Sequence, residues 1–247
     1  MFHVKQFGAG PSRSQQETSA AAANASRDTM ATAATYPDWL TLGAAYGLAI
    51  TPDQAARLHD LAFWLAERAS PLGLTNYRTS EAIVSHFLSP TFPLFALAEA
   101  SLTGPLLDLG AGSGALGFAV AILCPDLAVT LADRRRRAAT FMSLTRARLH
   151  LINMDVRQVS AEALAKDAPE SFRVVCFRAL APAEVALSMA APLLGPGGWV
   201  AAWHQADDDG FLNPPGGWTR VATAPTVLPG LAVSRLQIVS RETISGS

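Results

Sequence analysis

The sequence predicts an α/β protein whose mostly parallel sheet carries helices on both faces. Three observations lead to this fold class. From residue 105 onward, short apolar segments alternate with helical segments, as in parallel strands joined by crossover helices. A glycine-rich loop separates the first of these strands from its helix. The last two strand-like segments are joined by a short connection rich in Pro and Gly, which favours an antiparallel hairpin.

The chain before residue 105 divides into a tail and a helical cap. Residues 1–36 are rich in Ser, Ala and Thr with few large apolar side chains, which predicts a disordered tail. Residues 37–100 are predicted to form an N-terminal helical cap. Its first clear helix opens with "TPDQ", in which Thr51 is the N-cap and Gln54 completes a capping box. A shorter helix, "TSEAIVSHFLSP", is predicted to end at Pro90.

The third region, residues 101–247, is predicted to form the ligand-binding domain. Its predicted strands are "PLLDL", "LAVTLAD", a weaker segment near 151–156, "FRVVCFRAL", "WVAAWH" after a "GPGG" turn, "WTRVATAP" and "AVSRLQIVS". Its predicted helices are "ALGFAVAILC", "RRRRAATFMSLTRARL" and "AEVALSMAAPLL". Folds of this kind bind ligands at the carboxyl ends of their strands.

Composition limits the possible functions and locations. The net charge is −1, so no overall basic field points to nucleic acid. The two cysteines, Cys124 and Cys176, lie in apolar segments without metal-ligand spacing, which predicts buried free thiols, no metal and a reducing environment. No run of about 18 apolar residues is available to span a bilayer, and no signal peptide is evident. We therefore expect a cytoplasmic protein without a membrane partner. A monomer is the expected oligomeric state.

The segment "LLDLGAGSGALG", residues 106–117, fits two ligand-binding patterns. The dinucleotide fingerprint G-x-G-x-x-G can run from Gly112 to Gly117, which indicates an NAD-dependent oxidoreductase. The pattern D-x-G-x-G-x-G instead begins at Asp108. Its glycines are Gly110, Gly112 and Gly114. In both cases glycines let the backbone come close to the ligand, so the pattern alone leaves both alternatives open.

Two acidic residues bear on this choice. Asp133 ends the second predicted strand, where a carboxylate can accept hydrogen bonds from ribose hydroxyls in either case. Asp108 lies immediately before the loop, where it would repel a pyrophosphate but suit a cationic amino-acid group. S-adenosylmethionine has an ammonium, a sulfonium and no phosphate, so Asp108 favours that cofactor. The strand and hairpin at the end of the domain also resemble the sheet of class I methyltransferases.

Five segments in the same order carry a more specific resemblance. They are "LTNYRTSEAIVSHFLSP" with a central His86, "LLDLGAGSGALGFAVAI", "VTLADRRRRAATFM", "FRALA" with Arg178, and "LLGPGGWVAAWH". Together they resemble the bacterial small-subunit ribosomal RNA methyltransferase G family, also called glucose-inhibited division protein B, over roughly residues 40 to 240. The resemblance implies a Rossmann-like class I methyltransferase with a seven-stranded, mostly parallel sheet whose last strand is antiparallel. It implies S-adenosylmethionine-dependent methylation of guanine N7 in 16S ribosomal RNA, free or in a small-subunit particle.

The resemblance also assigns site residues. It adds Ala115 in the loop, Ser160 and Ala161 beside the adenine, and Arg178 at the end of the fourth strand. The predicted cofactor-binding set is Asp108, Gly110, Gly112, Gly114, Ala115, Asp133, Ser160, Ala161 and Arg178. The predicted catalytic positions are Arg178 and His86. No metal ligand is predicted.

Five positions depart from the family pattern. They are Gly73, Ser89, Leu116, Ala138 and His204. These departures indicate that the substrate side has diverged more than the cofactor side. A second alternative therefore stays open, namely a catalytically degenerate RNA-binding or assembly module.

Several side chains have both a structural and a functional interpretation. The cations Arg134 to Arg137 oppose the helix dipole at a predicted helix start, which suggests contact with RNA phosphate. Arg178 follows an apolar strand, so we expect a ligand or an acidic partner for its charge. Trp203 and His204 end the fifth strand, where they either stack on a base or belong to the core.

Overall fold

The computed structural model describes residues 38–97, 102–205, 211, 213–225 and 234–241. The predicted tail, residues 1–36, lies outside the described residues. The helices are α1 (Trp39–Ala45), α2 (Pro52–Trp64), α3 (Ser80–Ile83), α4 (Pro93–Leu97), α5 (Ala115–Leu123), α6 (Arg136–Arg148), α7 (Ala161–Asp167) and α8 (Ala183–Ala190). The strands are β1 (Leu106–Leu109), β2 (Val129–Asp133), β3 (Met154–Gln158), β4 (Phe172–Arg178), β5 (Leu194–Gln205), β6 (Trp218–Pro225) and β7 (Ser234–Arg241).

The sheet has seven strands in the order β3-β2-β1-β4-β5-β7-β6. Strands β1 to β5 pair in parallel, whereas β7 pairs antiparallel with both β5 and β6. This confirms the predicted class I methyltransferase sheet and its antiparallel strand. The strand order reverses between β1 and β4, so the carboxyl ends of these strands border a crevice where such folds bind ligands.

One glutamine of the helical cap bonds to the end of α5 in the sheet domain. The capping box is confirmed, since Thr51 Oγ1 accepts from the Gln54 backbone N–H at 3.2 Å and Gln54 Oε1 accepts from the Thr51 N–H at 2.9 Å. The other end of the same amide, Gln54 Nε2, donates to the carbonyls of Ile122 and Leu123, each at 3.1 Å. Those carbonyls belong to the last turn of α5, where backbone carbonyls lack partners within the helix.

The structure differs from the prediction at three boundaries. Helical conformation does not end at Pro90. After α3 it continues through a π-helical segment, Val84–Leu88, and a 3-10 turn, Ser89–Thr91, into α4. Proline in the first turn of a new helix removes a donor that has no partner there, which explains why Pro90 is tolerated. Strand β3 begins at Met154 rather than near 151. The "GPGG" segment lies inside β5, where the pairing register with β4 shifts.

Alternation along β1 divides its side chains between the two faces of the sheet. Leu107 and Leu109 belong to a buried cluster that includes Phe177 of β4 and Leu187 of α8. Asp108 points to the opposite face, toward the start of α5. The only charged side chain of β1 is therefore buried under the helix that follows the glycine loop.

Candidate active site

A cavity of about 510 Å³ opens at the carboxyl edge of the sheet. This size is within the range of cofactor pockets. The cavity gathers the ends of β1, β2 and β4 with the start of α7. It is lined by Leu109, Gly110, Ala132, Asp133, Arg134, Arg135, Val159, Ser160, Ala161, Glu162, Arg178, Ala179, Leu180 and Met189. Five predicted site residues are thus brought together here: Gly110, Asp133, Ser160, Ala161 and Arg178.

The glycine loop requires its glycines for two different reasons. Gly110, Gly112 and Gly114 have φ values of 71°, 62° and 75°, in the left-handed region that other residues rarely adopt. Gly117 is helical, but a Cβ there would lie 2.1 Å from Leu131 Cδ2, so it allows α5 to pack closely against β2. Both patterns recognised in this segment therefore correspond to real backbone requirements, and glycine geometry alone does not identify the ligand.

Asp108 is bonded to the first turn of α5, the helix that follows the glycine loop. Its carboxylate is 3% exposed and accepts a hydrogen bond from the backbone N–H of Gly117 at 3.0 Å. Burial raises the pKa of Asp108 to about 7, against the lowering effect of the Gly117 hydrogen bond, and the nearby Asp133 charge raises it further. Asp108 is not among the residues that line the cavity, and its predicted contact with the cofactor stays a prediction.

Asp133 ends β2 with both carboxylate oxygens directed at backbone and side-chain donors. Its Oδ1 accepts from the Arg135 backbone N–H at 2.9 Å and from Arg135 Nε at 3.0 Å. Its Oδ2 accepts from the Gly112 N–H at 3.0 Å and from Arg135 Nη2 at 2.8 Å. Burial acts to raise the pKa of Asp133, but the bonds from Arg135 and Gly112 outweigh it, and the pKa lies below its ordinary value. Asp133 is therefore a carboxylate at neutral pH, at the wall of the cavity.

Arg178 lies at the end of β4 and lines the same cavity. Its guanidinium donates to the backbone carbonyl of His86 and lies 4.6 Å from the centre of the Phe87 ring. Burial lowers the pKa of Arg178 from its ordinary value, yet a guanidinium stays protonated at physiological pH. Among the described residues, a backbone carbonyl and an aromatic ring contact this guanidinium and no acidic partner does, so the expected ligand stays a prediction.

His86 lies on the cap side of Arg178 and does not line the cavity. Its ring stacks on Tyr77 with centroids 4.2 Å apart and an interplanar angle of 7°, and Tyr77 meets Phe87 edge-on. Burial and, to a smaller extent, the Arg178 charge lower the pKa of His86 below 6.5, so its imidazole is neutral at pH 7. The structure thus places His86 where its backbone carbonyl orients Arg178.

The far wall of the cavity is the start of α7. Ser160 is the N-cap of this helix, and its hydroxyl accepts from the Ala163 backbone N–H at 3.3 Å. Glu162 and Met189 also line the cavity but were not singled out from the sequence. Glu162 was detectable as the first acidic residue after the Ser160 cap, whereas Met189 lies inside an ordinary apolar helix and gives no such signal.

Comparison with known proteins identifies the family. The sequence model of the family described as rRNA small subunit methyltransferase G, or GidB, matches residues 54–209. The chain belongs to this family. A relative named Ribosomal RNA small subunit methyltransferase G from Cupriavidus metallidurans is 31% identical over 216 residues, which is 80% of this chain and 90% of that protein. A relative of the same name from Azoarcus sp. is 30% identical, covering 80% of this chain and 92% of that protein.

Comparison with solved structures concerns the fold alone. The crystal structure of MtNAS in complex with MTA and tNA superposes with a TM-score of 0.51 at 14% sequence identity, covering 76% of this chain and 71% of that chain. The family also decides between the two patterns of the glycine loop. The chain is a methyltransferase, and the NAD-dependent oxidoreductase alternative finds no support.

The departures from the methyltransferase G family pattern prove to be mostly internal. Gly73 is exposed, but four positions are buried: Ser89 at 4%, Leu116 at 7%, Ala138 at 0% and His204 at 6% exposure. The structure shows that these four side chains lie in the interior of the protein, and the divergence of the substrate side stays a prediction.

Trp203 likewise belongs to the core and is not a base-stacking platform. It is 2% exposed, and its indole N–H donates to the carbonyl of Pro90 at 2.7 Å. This bond fixes the end of the π-helical and 3-10 segments on β5. Next to it, the His204 ring lies 5.1 Å from the Phe211 ring, so this strand end is filled with packed rings.

Two further findings concern the part of the chain that the structure describes. No helix there is long and apolar enough to cross a membrane. The same residues contain no group of three or more His, Cys, Asp or Glu side chains arranged to hold a metal ion.

Proposed function

We propose that this protein transfers the methyl group of S-adenosylmethionine to N7 of a guanine in 16S ribosomal RNA, at the carboxyl-edge cavity. The observation that carries the proposal is the position of the Asp133 carboxylate beside Gly110 in a cavity of about 510 Å³. Membership of the rRNA small subunit methyltransferase G family supports the substrate class. A ribosomal RNA substrate supports the proposal of a cytoplasmic location.

The residues present fit this cofactor. Gly110 lets the loop backbone come close to the cavity wall, since a Cβ there would meet Leu180 Cδ1 at 2.5 Å. Asp133 is an ionised acceptor suited to ribose hydroxyls, and Ser160 and Ala161 form the wall proposed to lie beside the adenine. Bound S-adenosylmethionine supplies an activated methyl group on a sulfonium.

The protein needs little acid–base chemistry for this reaction. Guanine N7 carries a free lone pair at neutral pH, so no side chain has to remove a proton from it. Catalysis then depends on orientation and on preorganised charge. Arg178 is the proposed positioning donor, directed at guanine O6 or a flanking phosphate, and the neutral His86 holds it through its backbone carbonyl. Asp108 acts through the loop, because its carboxylate bonds Gly117.

The test is methyl transfer with purified protein and labelled S-adenosylmethionine. The substrates are 16S ribosomal RNA and small subunits from cells that lack this modification, followed by nuclease digestion and mass spectrometry of the nucleosides. The expected product is 7-methylguanosine. A methyl group on carbon, ribose or adenine would contradict the proposal. Tight RNA binding without transfer would instead identify a degenerate binding module.

A further inference from the structure

The Asp133 carboxylate has no acceptor position left for a ligand. Each oxygen accepts two hydrogen bonds, and the four donor atoms are the backbone nitrogens of Gly112 and Arg135 with Nε and Nη2 of Arg135, at 2.8 to 3.0 Å. A carboxylate has about four such acceptor sites in total. The Arg135 side chain therefore occupies the two sites that ribose hydroxyls would need.

The four donors differ in how easily they can leave. The N–H groups of Gly112 and Arg135 are fixed by the glycine loop and by the start of α6. The Arg135 guanidinium is carried by a flexible side chain that is 51% exposed and lines the cavity. It also lies over the loop, with Nη2 3.6 Å from the position of a Cβ on Gly112. The guanidinium is therefore the group that a ligand can displace.

A displaced Arg135 side chain would join a strongly cationic rim. Arg134, Arg136 and Arg137 are exposed on either side of it, and Arg134 also lines the cavity. Arg135 is the N-cap residue of α6, whose first turn contains no acidic side chain. Since the positive end of the helix dipole disfavours added cations there, a released Arg135 needs a new anionic partner.

We propose that Arg135 exchanges partners during the reaction cycle: the ribose of the cofactor displaces it from Asp133, and it then binds a phosphate of the substrate RNA. This inference rests on the proposed function, which supplies both ligands. Cofactor binding thereby creates an RNA-binding cation at the mouth of the cavity. Coupling between two ligands is reciprocal, so RNA binding strengthens cofactor binding by the same factor.

The experiment measures the affinity of a 16S ribosomal RNA transcript with and without saturating S-adenosylhomocysteine, by filter binding. It also measures cofactor affinity alone by calorimetry. The wild-type protein is expected to bind RNA about fivefold or more tightly when the cofactor product is present. Arg135→Ala is expected to bind S-adenosylhomocysteine more tightly than the wild type, because its competitor is gone, and to lose the coupling.

Two further variants make the result specific. Arg136→Ala removes the same charge one residue later and is expected to keep the coupling factor, even where RNA affinity falls. Arg135→Lys loses the bidentate hydrogen bonds to Asp133 but keeps a cation. It is therefore expected to bind the cofactor more tightly than the wild type and still to bind RNA. Circular dichroism melting confirms that each variant is folded.

The outcomes separate this inference from the proposed function. Wild-type protein that methylates RNA but shows no coupling, or an Arg135→Ala variant that binds cofactor more weakly, overturns the exchange and leaves the proposed function standing. Wild-type protein that binds neither S-adenosylhomocysteine nor RNA overturns both.

Discussion

Arg178, the last residue of β4, donates a hydrogen bond to the backbone carbonyl of His86 in the cap. This contact joins the carboxyl edge of the sheet to the helical segment that carries the Tyr77–His86 stack. In the part of the chain that the structure describes, no carboxylate pairs with this guanidinium, so its positive charge remains available at the wall of the cavity.

Arg178→Ala is expected to lower the turnover number at least about tenfold, because a hydrogen bond to a charged group is worth about 1.5–3 kcal/mol. Cofactor affinity, measured by calorimetry, should change less than turnover. Arg173→Ala removes an arginine from the opposite end of β4, where it donates to the Pro196 carbonyl at 3.0 Å, and serves as control. Unchanged turnover in Arg178→Ala would remove this residue from the reaction site.

Asp133→Ala is expected to weaken binding of S-adenosylmethionine about tenfold or more, because the ribose hydroxyls lose a charged acceptor. The melting temperature should also fall, since the N–H groups of Gly112 and Arg135 lose their partner. The control is Asp155→Ala, which removes an exposed carboxylate of β3 paired with Arg157 at 3.0 Å. Wild-type cofactor affinity in Asp133→Ala would contradict the assignment of the ribose contact.

Asp108→Asn is expected to change how stability depends on pH. The folded pKa of about 7 exceeds the ordinary 3.8, so between these values the folded state holds a proton that the unfolded state has released. This group therefore costs the wild type stability as pH rises from about 4 to 7, approaching about 4 kcal/mol above pH 7. Urea unfolding at several pH values should show the variant gaining on the wild type over this range. Parallel curves would show that Asp108 is ionised throughout.

Gly117→Ala is expected to lower the free energy of unfolding by about 1–3 kcal/mol, because α5 or β2 must move to admit the methyl group. The added Cβ would lie 2.1 Å from Leu131 Cδ2 and 3.2 Å from Asp108 Oδ2. Gly216→Ala is the matched control, since a Cβ at Gly216 meets nothing within 4 Å. Equal stability of the two variants would show that the contact between helix and strand relaxes freely.

Features encoded by neighbouring residues were predictable from the sequence. The capping box of Thr51 and Gln54 spans four residues, and its geometry follows from the residue types alone. Asp133 was recognisable because a strand end places a side chain at the ligand edge of a parallel sheet. The predicted end of the helix at Pro90 is wrong. The π-helical and 3-10 turns that lead through Pro90 depend on packing, including the Trp203 bond to the Pro90 carbonyl.

Features encoded by backbone conformation or distant contacts were not predictable. Four consecutive arginines look alike in the sequence, yet only Arg135, with φ −80° and ψ 120° at the N-cap, turns back to Asp133. The burial of Ser89, Leu116, Ala138 and His204 depends on residues far along the chain.

Gln54 has two structural roles, and the second restricts the residue type more than the first. A capping box accepts either glutamate or glutamine at its third helical position, because only an acceptor oxygen is needed. Gln54 also donates through Nε2 to the carbonyls of Ile122 and Leu123. A glutamate would direct a lone pair at two carbonyl oxygens and repel both. The amide at position 54 is thus favoured by the end of another helix, 68 residues away in sequence. An exchange to glutamate that capping alone would tolerate is therefore opposed by a distant part of the chain.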